Sequence, residues 1–372
     1  MELPPFRIEQ YFARHEFNTQ HLLSASDCEP LGVGELVQLE PDAAERLLAL
    51  RCGYSEPAGS GELREAIAAL YHGLSAEQIV VTTCAEEAIF LVLHAVLGPG
   101  DHAIVATPCY ESALQLARST GAEVSEWRRR FEDGWAHDLE ALAGLLRPQT
   151  KLVYLNEPHN PTGTLIDQWS FQRLVERCIE HEVLIFSDEV YRGLEHNPAD
   201  RLPAICELSP SSVSLGSVTK SLGLAGLRTG WIATTDAALR QRVVDLKYYT
   251  TICASSPSEQ LTALALRHAP ELIARNLELI NDNVMLVEEF FAEHPDRFEW
   301  VRPTAGAIGF PRVHGIADVE RWCEGLAAAG VLVLPGSVYD EPRHVRMGFG
   351  RAGVQDALAV LGAQLEDLDA EG

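Results

Sequence analysis

One stretch of the sequence reads Gly216-Ser217-Val218-Thr219-Lys220-Ser221-Leu222-Gly223-Leu224-Ala225-Gly226-Leu227-Arg228-Thr229-Gly230-Trp231. Its single lysine follows an apolar run and lies among small and hydroxylic residues, with an arginine eight positions later. A lysine in such surroundings loses its proton readily enough to attack an aldehyde, while hydroxyl groups and a guanidinium can hold a phosphate. Lys220 alone also fits a purely structural role, as the residue that caps a strand beside a turning loop.

Around this stretch, from about Gly59 to Leu261, short apolar runs alternate with helix-like segments. This alternation predicts βα units and a mostly parallel sheet. The predicted strands are Ile79 to Thr82, His102 to Ala106, Leu152 to Asn156, Val183 to Ser187, Ser212 to Leu215 and Thr229 to Ala233. Each ends near residues with reactive or ligand-binding character, as expected when a site lies beyond the carboxyl ends of parallel strands.

The chain after about Leu261 has a different pattern. It predicts a long amphipathic helix through Ala292 and short strands around 298–301 and 331–334, which together indicate a segregated α+β domain. The first forty-five residues show no βα alternation and are expected to pack on that domain or on a partner subunit. We therefore predict an N-terminal segment at 1–45, a large domain at 46–261 and a small domain at 262–372.

Composition limits the classes of partner. The formal charge of −25 repels polyanions, so nucleic acid and anionic membrane surfaces are poor partners. The acidic surface serves solubility on the simplest interpretation, and on a sharper one it attracts a cationic substrate such as a basic amino acid. No apolar run is long enough for a membrane span, and Met1 to Phe6 lack the start of a secretion signal, which predicts a cytoplasmic protein. The eight cysteines form no C-x-x-C pair, so we assign neither disulfides nor a metal site.

The lysine segment resembles the signature of class I/II aminotransferases, whose fold is fold type I of the pyridoxal phosphate (PLP) enzymes. Two further segments resemble this family in the same chain order: Asn156-Glu157-Pro158-His159-Asn160-Pro161-Thr162-Gly163 and Ser187-Asp188-Glu189-Val190-Tyr191. The resemblance implies that Lys220 holds PLP as a Schiff base and that Asn160 and Tyr191 reach the phenolic oxygen of the cofactor. It places Asp188 at the pyridine nitrogen and assigns the phosphate to Ser217, Thr219 and Arg228.

The proposed role of Asp188 has a physical reason. PLP withdraws electrons effectively only while its pyridine nitrogen is protonated, and a carboxylate within hydrogen-bond reach favours that charged form. A structural alternative is that Asp188 caps a helix that follows the strand.

The phosphate site is predicted at the sequence Val80-Val81-Thr82-Thr83-Cys84-Ala85-Glu86-Glu87-Ala88-Ile89, where a strand turns into a helix. Amides at a helix N-terminus bind phosphate, so the backbone of Ala85 and Glu86 should supply donors. Members of the family resembled usually have glycine at the position of Cys84. Glu86 also departs from the family pattern, and its carboxylate must point away from the phosphate for binding to be strong.

Three more residues are assigned by the resemblance. Tyr110 matches the aromatic residue that stacks on the cofactor ring, although a core tyrosine is an equal alternative. Tyr54 matches a tyrosine that reaches the phosphate in the neighbouring subunit's site, which implies a homodimer. Arg346 matches the arginine that grips the substrate carboxylate in a bidentate fork, with Arg351 as the competing candidate.

The function implied is transamination of an L-amino acid, with a 2-oxo acid as acceptor and Lys220 as the base that moves the α-proton. Related lyases, decarboxylases, oxidases and cyclases use the same motifs and remain open. Leu23-Ser24-Ala25-Ser26-Asp27-Cys28-Glu29-Pro30 resembles the cyclases that make capreomycidine from a hydroxylated arginine, which is the alternative we retain. A DNA-binding regulator with an aminotransferase-like domain would need a basic helix-turn-helix segment, for which the sequence offers neither room nor charge.

Overall fold

The computed structural model describes residues 3–371, with the side chains of 367–371 not described. A seven-stranded sheet forms its centre, in the spatial order β1-β7-β6-β5-β4-β2-β3. Its strands are β1 (Ile79–Thr82), β2 (His102–Thr107), β3 (Glu123–Arg128), β4 (Thr150–Asn156), β5 (Leu184–Asp188), β6 (Ser212–Ser217) and β7 (Gly230–Ala233). Only β7 runs antiparallel to its neighbours, so the predicted α/β fold with a mostly parallel sheet is confirmed.

Helices cover this sheet and continue into the C-terminal region. They are α1 (Arg7–His15), α2 (Val33–Val37), α3 (Ala43–Ala49), α4 (Gly61–Ala68), α5 (Cys84–Val96), α6 (Glu111–Ser119), α7 (Leu139–Leu145), α8 (Gln168–Glu180), α9 (Ile205–Leu208), α10 (Ala237–Lys247), α11 (Ser256–Arg267), α12 (Ala269–Glu293), α13 (Val319–Ala328) and α14 (Val354–Glu371). Strands β1, β2, β6 and β7 are buried along their whole length, as expected for a sheet covered on both faces.

The six predicted strands are all present, and β3 is the one that the sequence pattern missed. Its sequence, Glu-Val-Ser-Glu-Trp-Arg, is mostly polar because β3 is an edge strand that pairs only with β2 and buries one side chain fully, Trp127. An edge strand exposed to water lacks the continuous apolar run by which the inner strands were recognised.

The predicted long helix between Leu261 and Ala292 is wrong as a single element. The chain forms α11 up to Arg267 and starts α12 at Ala269, with Pro270 in the first turn of α12. Proline lacks the N–H that would continue α11 and is tolerated only at the start of a helix. The predicted boundary between 261 and 262 lies inside α11, and the division into domains stays a prediction.

The remaining strands are short: β8 (Phe298–Glu299), β9 (Ile308–Gly309), β10 (Arg312–Val313), β11 (Leu334–Pro335) and β12 (Val345–Gly348). The N-terminal segment runs beside them, because the backbone of His21 bonds Leu332 and that of Leu23 bonds Gly348. This arrangement places residues 24–27 next to the carboxyl ends of the central strands.

No helix within residues 3–371 is long and apolar enough to cross a membrane. The predicted absence of a secretion signal rests partly on Met1 and Glu2, which lie outside the described residues.

Candidate active site

A cavity of about 580 Å³ lies beyond the carboxyl ends of β4, β5 and β6. Parallel pairing sets these ends side by side, since Asn156 at the end of β4 pairs with Asp188 at the end of β5. The cavity is lined by all the predicted site residues except Tyr54: Ala85, Glu86, Tyr110, Asn160, Asp188, Tyr191, Ser217, Thr219, Lys220, Arg228 and Arg346.

Lys220 lies in the turn that follows β6. Its Nζ donates a hydrogen bond to Ser26 Oγ at 2.8 Å. Burial lowers the pKa of Lys220, against an opposing effect of the Asp27 carboxylate. The turn is held close to residues 28–29, because Gly223 has φ +67° and a Cβ there would lie 2.6 Å from the carbonyl oxygen of Glu29. The amine is therefore fixed and biased towards the neutral form that attacks an aldehyde.

Asp188 is buried at the end of β5. It accepts hydrogen bonds from Tyr154 Oη and from the backbone N–H of Val190, both at 3.1 Å. Burial raises the pKa of Asp188 to about 6, with the two hydrogen bonds acting in the opposite direction. The bond from Val190 fixes a turn and no helix follows directly, so the alternative of a helix cap does not describe this residue. A pyridinium placed at Asp188 would supply the charge partner that the buried carboxylate lacks.

Asn160 and Arg346 are connected directly. Asn160 Oδ1 accepts from Arg346 Nη1 at 3.2 Å and from Tyr339 Oη at 3.1 Å. Because its oxygen is engaged, the Nδ2 group of Asn160 is left to donate to a ligand. Arg346 is buried, and its Nη2 donates to the carbonyl oxygen of Ser24 at 2.9 Å. Sequence reasoning missed Tyr339 and Ser24, which lie far from Asn160 along the chain.

The two candidate arginines differ in their partners. Arg351 donates from Nε and Nη2 to both oxygens of Asp27, at 3.0 and 2.8 Å. Arg346 has only neutral partners, and its Nε has no hydrogen bond in the described structure. Since the fork of Arg351 is already filled by a carboxylate, the geometry favours Arg346 as the group that receives the carboxylate of a substrate.

The predicted phosphate end is built on the first turn of α5. Thr83 provides no side-chain cap, so the first amides of the helix are not engaged by it. Cys84 has φ +73°, a left-handed conformation that favours glycine, which explains why the resembled family has glycine here. Strand β7 packs against this turn, since a Cβ on Gly230 would lie 2.8 Å from the backbone nitrogen of Ala85. Because Gly230 has no side chain, β7 can pack closely against the first turn of α5.

Hydroxyl and guanidinium groups complete this end of the cavity. Ser217 Oγ lies 2.8 Å from Thr219 Oγ1 and 2.9 Å from the carbonyl oxygen of Thr229. Arg228 also lines the cavity and bonds the carbonyl oxygen of Ala225 at 3.2 Å. Together with the amides of α5 they form a donor set suited to a phosphate, and their roles there stay predictions.

Glu86 lies in the lining of the cavity. Burial raises its pKa to about 7, and the nearby carboxylates of Glu9 and Asp188 act in the same direction. The carboxyl group is thus partly neutral near pH 7, which reduces the repulsion of a phosphate that its position would otherwise cause.

The residues present fit PLP. Tyr191 Oη is buried without a hydrogen-bond partner in the described structure, and a phenolic oxygen would satisfy it. Asn160 Nδ2 can donate to the same oxygen, and Asp188 can hold a protonated ring nitrogen. Lys220 supplies the amine for a covalent link.

Sequence reasoning missed the wall of the cavity that faces these groups. Helix α1 and its flanking residues contribute Phe6, Glu9, Phe12 and Glu16. Tyr110 Oη donates to Glu9 Oε1 at 2.5 Å, and the ring of Tyr110 lies 5.0 Å from that of Phe6. The spacing of these residues by three and four positions is the signal that could have identified them as one helix face.

Tyr54 lies outside the cavity of its own chain and is 90% exposed. Its neighbour Ser55 is anchored by Oγ contacts to Glu259 Oε1 at 3.2 Å and the Ala254 carbonyl at 3.3 Å. The predicted role of Tyr54 therefore requires a second subunit and stays a prediction.

Comparisons with known proteins identify the family to which this chain is similar. The family model for aminotransferase class I and II matches residues 26–360. Capreomycidine synthase of Streptomyces vinaceus is 31% identical over 371 residues, covering 98% of this chain and 94% of that protein. Arginine–pyruvate transaminase of Pseudomonas aeruginosa is 34% identical over 199 residues, about half of each chain (51% and 50%).

Two solved structures match almost the whole chain. A PLP-dependent aminotransferase from Streptococcus suis has a TM-score of 0.92 and 31% identity, covering 99% of this chain and 98% of its own. The PLP-dependent cyclase OrfR has a TM-score of 0.91 and 29% identity with the same coverage. The matches therefore include both transaminating and cyclising enzymes.

Proposed function

The chain belongs to the class I and II aminotransferase family and is a pyridoxal-phosphate-dependent enzyme, and we propose that it transaminates an L-amino acid. The observation that supports this proposal is one cavity that contains Lys220, Asp188, Asn160, Tyr191 and Arg346. These five residues come from four separate segments of the chain, and each supplies a group that transamination needs.

In the proposed reaction PLP, when bound, supplies the electron sink that makes the α-proton of an amino acid acidic. Arg346 binds the substrate carboxylate in a two-bond fork and so fixes the α-carbon. Lys220 Nζ is the base that would take up and release the α-proton, as its depressed pKa favours. Asp188 would hold the ring nitrogen in its protonated form, and Asn160 and Tyr191 would donate to the phenolic oxygen.

We propose further that the substrate carries a positive charge at the end of its side chain. Glu9 on α1 and Glu16 directly after that helix line the cavity, and neither forms an ion pair with a Lys, Arg or His of the described residues. Phe6 and Phe12 lie on the same wall, and a guanidinium pairs with carboxylates while stacking on aromatic rings. The likeness to arginine–pyruvate transaminase supports this substrate class.

A second candidate reaction is cyclisation of a hydroxylated arginine, of the kind named by capreomycidine synthase. The observation that favours it is the match to that protein over 98% of this chain, together with the match to the cyclase OrfR. The same groups would serve, because both reactions begin when Lys220 removes the α-proton of an amino acid held by Arg346.

The two reactions differ in what they consume. The test incubates purified holoenzyme with L-arginine or 3-hydroxy-L-arginine, with and without pyruvate or 2-oxoglutarate, and identifies products by mass spectrometry. Transamination yields a 2-oxo acid from the substrate and turns over only with an acceptor. Cyclisation yields a product lighter by one water without an acceptor, and that result would replace the proposal by the second candidate.

We also propose that the enzyme is a cytoplasmic homodimer whose Tyr54 completes the partner's site. Tyr54 and Tyr249 are each 90% exposed, and the segments that carry them are joined by the bond from Ser256 Oγ to the Gly53 carbonyl at 2.9 Å. Exposed aromatic side chains are typical of a protein interface. All eight cysteines are free, which suits a reducing compartment.

A further inference from the structure

A short loop near the N-terminus, residues 23–29, contacts two groups of the proposed catalytic machinery. The carbonyl oxygen of Ser24 accepts a hydrogen bond from Arg346 Nη2 at 2.9 Å. Two residues later, Ser26 Oγ accepts from Lys220 Nζ at 2.8 Å, and Ser26 itself lines the catalytic cavity. We call residues 23–29 the Ser26 loop. Neither transamination nor cyclisation, as outlined above, assigns a role to its hydroxyl group.

The Ser26 loop is held against strand β12 and the residues that follow it. The backbone N–H of Glu29 donates to the carbonyl oxygen of Gly350 at 2.7 Å. A Cβ on Gly348 would overlap the carbonyl oxygen of Ala25, so the loop lies directly against the strand. These contacts lie on both sides of Ser26 and fix its backbone independently of the lysine.

The hydroxyl differs in kind from the other groups around the Lys220 amine. Burial lowers the pKa of Lys220. The charged side chains that act on the amine from the surrounding elements are Asp27, Asp188 and Glu9, which raise its pKa, and Arg346, which lowers it. Within residues 3–371 the hydroxyl is the acceptor that Nζ reaches by a hydrogen bond. A neutral acceptor holds the amine without the ion pair that would keep it protonated.

We propose that Ser26 is a positioning residue whose hydroxyl holds the Lys220 amine in place while that amine is free to act as a base. A lysine side chain is flexible, so a free amine needs such a contact to stay at one position. An amine that donates one N–H to an acceptor keeps its lone pair for the α-proton. The contact applies whenever the amine is not linked to the cofactor, because that link uses the same nitrogen.

This role rests on the proposed function, in which Lys220 is the base. The transamination and cyclisation candidates share that step, so the role of Ser26 is the same in both. Two measurements separate a failure of the positioning role from a failure of the proposed function.

The first measurement detects the contact without any reaction. The chain has three lysines, Lys151, Lys220 and Lys247, so the full-length protein prepared without PLP and labelled with ¹³C at the lysine ε-carbon gives three titrating NMR signals. A hydrogen bond accepted from the ammonium favours the charged form, so Ser26→Ala should lower the pKa of Lys220. Ser26→Thr keeps the hydroxyl and should titrate like the parent, with Lys151 and Lys247 unchanged in both variants. An unchanged or raised pKa of Lys220 in Ser26→Ala would overturn the proposal.

The second measurement tests the position of the amine during proton transfer. Holoenzyme is incubated with L-arginine in D₂O without an acceptor, and exchange of the α-proton is followed by NMR. Misplacement of a reacting group slows a reaction, so Ser26→Ala should exchange the proton roughly tenfold more slowly than the parent. Binding of L-arginine, measured through cofactor absorbance, should stay unchanged, and Ser26→Thr should recover the parental exchange rate.

The outcomes of the exchange experiment are distinct. Equal exchange in the parent and in Ser26→Ala would overturn the positioning role and leave Lys220 as the base. Loss of exchange together with loss of L-arginine binding, without recovery in Ser26→Thr, would make Ser26 a structural residue and also overturn it. No exchange in the parent would contradict the proposed function instead, and the titration of Lys220 would still decide whether Ser26 holds the amine.

Discussion

The two walls of the catalytic cavity are built from different kinds of contact. On the wall formed by the strand ends, Asp188, Asn160 and Arg346 are buried and hydrogen-bonded to neighbouring groups. On the wall formed by α1, Glu9 and Glu16 are more exposed and unpaired with cations. The first wall is held by hydrogen bonds and is suited to positioning a cofactor and the α-carbon. The second wall has carboxylates without a cationic partner, and we propose that it selects the substrate side chain, which would separate reaction chemistry from substrate selection in space.

The largest loss of turnover is expected when Lys220, the amine on the strand-end wall, is replaced. Lys220→Ala should lower turnover by roughly 10³-fold or more, since it removes a general base and the covalent attachment together. Reduction of the holoprotein with borohydride followed by peptide mass spectrometry should find PLP on Lys220 of the parent and on no residue of the variant. Attachment of PLP to another lysine in the variant would show that Lys220 is not the residue that binds the cofactor.

Asp188→Asn tests the charge on the same wall. The variant nearly preserves shape while removing the carboxylate, so the ring nitrogen loses its charged partner. We expect kcat to fall on the order of 10²-fold with little change in cofactor binding. Near-normal kcat would make Asp188 a structural residue whose bond to Val190 only shapes the turn.

Arg346 and Arg351 both line the cavity, and a matched pair of variants separates their roles. Arg346→Lys loses a two-bond fork and should weaken every α-amino acid by roughly 10- to 100-fold, whatever its side chain. Arg351→Lys should affect binding much less, because Arg351 is already paired with Asp27. The measurement is a titration of each holoenzyme with the best substrate, followed through cofactor absorbance. A large defect only in Arg351→Lys would reverse the assignment.

A smaller effect is expected at Glu86, where an acidic residue adjoins the predicted phosphate site. Burial raises the pKa of Glu86 to about 7, so the group is protonated below that pH and charged above it. Only the charged form repels phosphate. Cofactor affinity of the parent should therefore fall as pH rises through about 7, and Glu86→Gln should bind PLP several-fold more tightly than the parent at pH 8 but equally at pH 6. Parallel affinity curves for the two proteins would show that Glu86 does not face the phosphate.

The two walls also differ in how readily the sequence reveals them. Asp188 and Lys220 follow apolar runs at the ends of inner strands, and parallel pairing brings such ends together, so strand pattern and motif identified them. The α1 wall was missed, since Glu9 lies about two hundred residues from Lys220 and only tertiary packing joins them. The left-handed backbone of Cys84 was equally beyond sequence reasoning, although a departure from glycine marked its position.

The separation of chemistry from substrate selection is the central claim, and a comparison of L-arginine with L-citrulline tests it most directly. The two amino acids have nearly the same shape, but citrulline has a neutral urea where arginine has a guanidinium. Single-turnover loss of the resting cofactor absorbance should be at least tenfold more efficient with arginine in the parent, and Glu9→Gln combined with Glu16→Gln should reduce that preference while leaving citrulline unchanged. Equal efficiency for arginine and citrulline in the parent would contradict the account, because the α1 wall would then play no part in selecting the substrate.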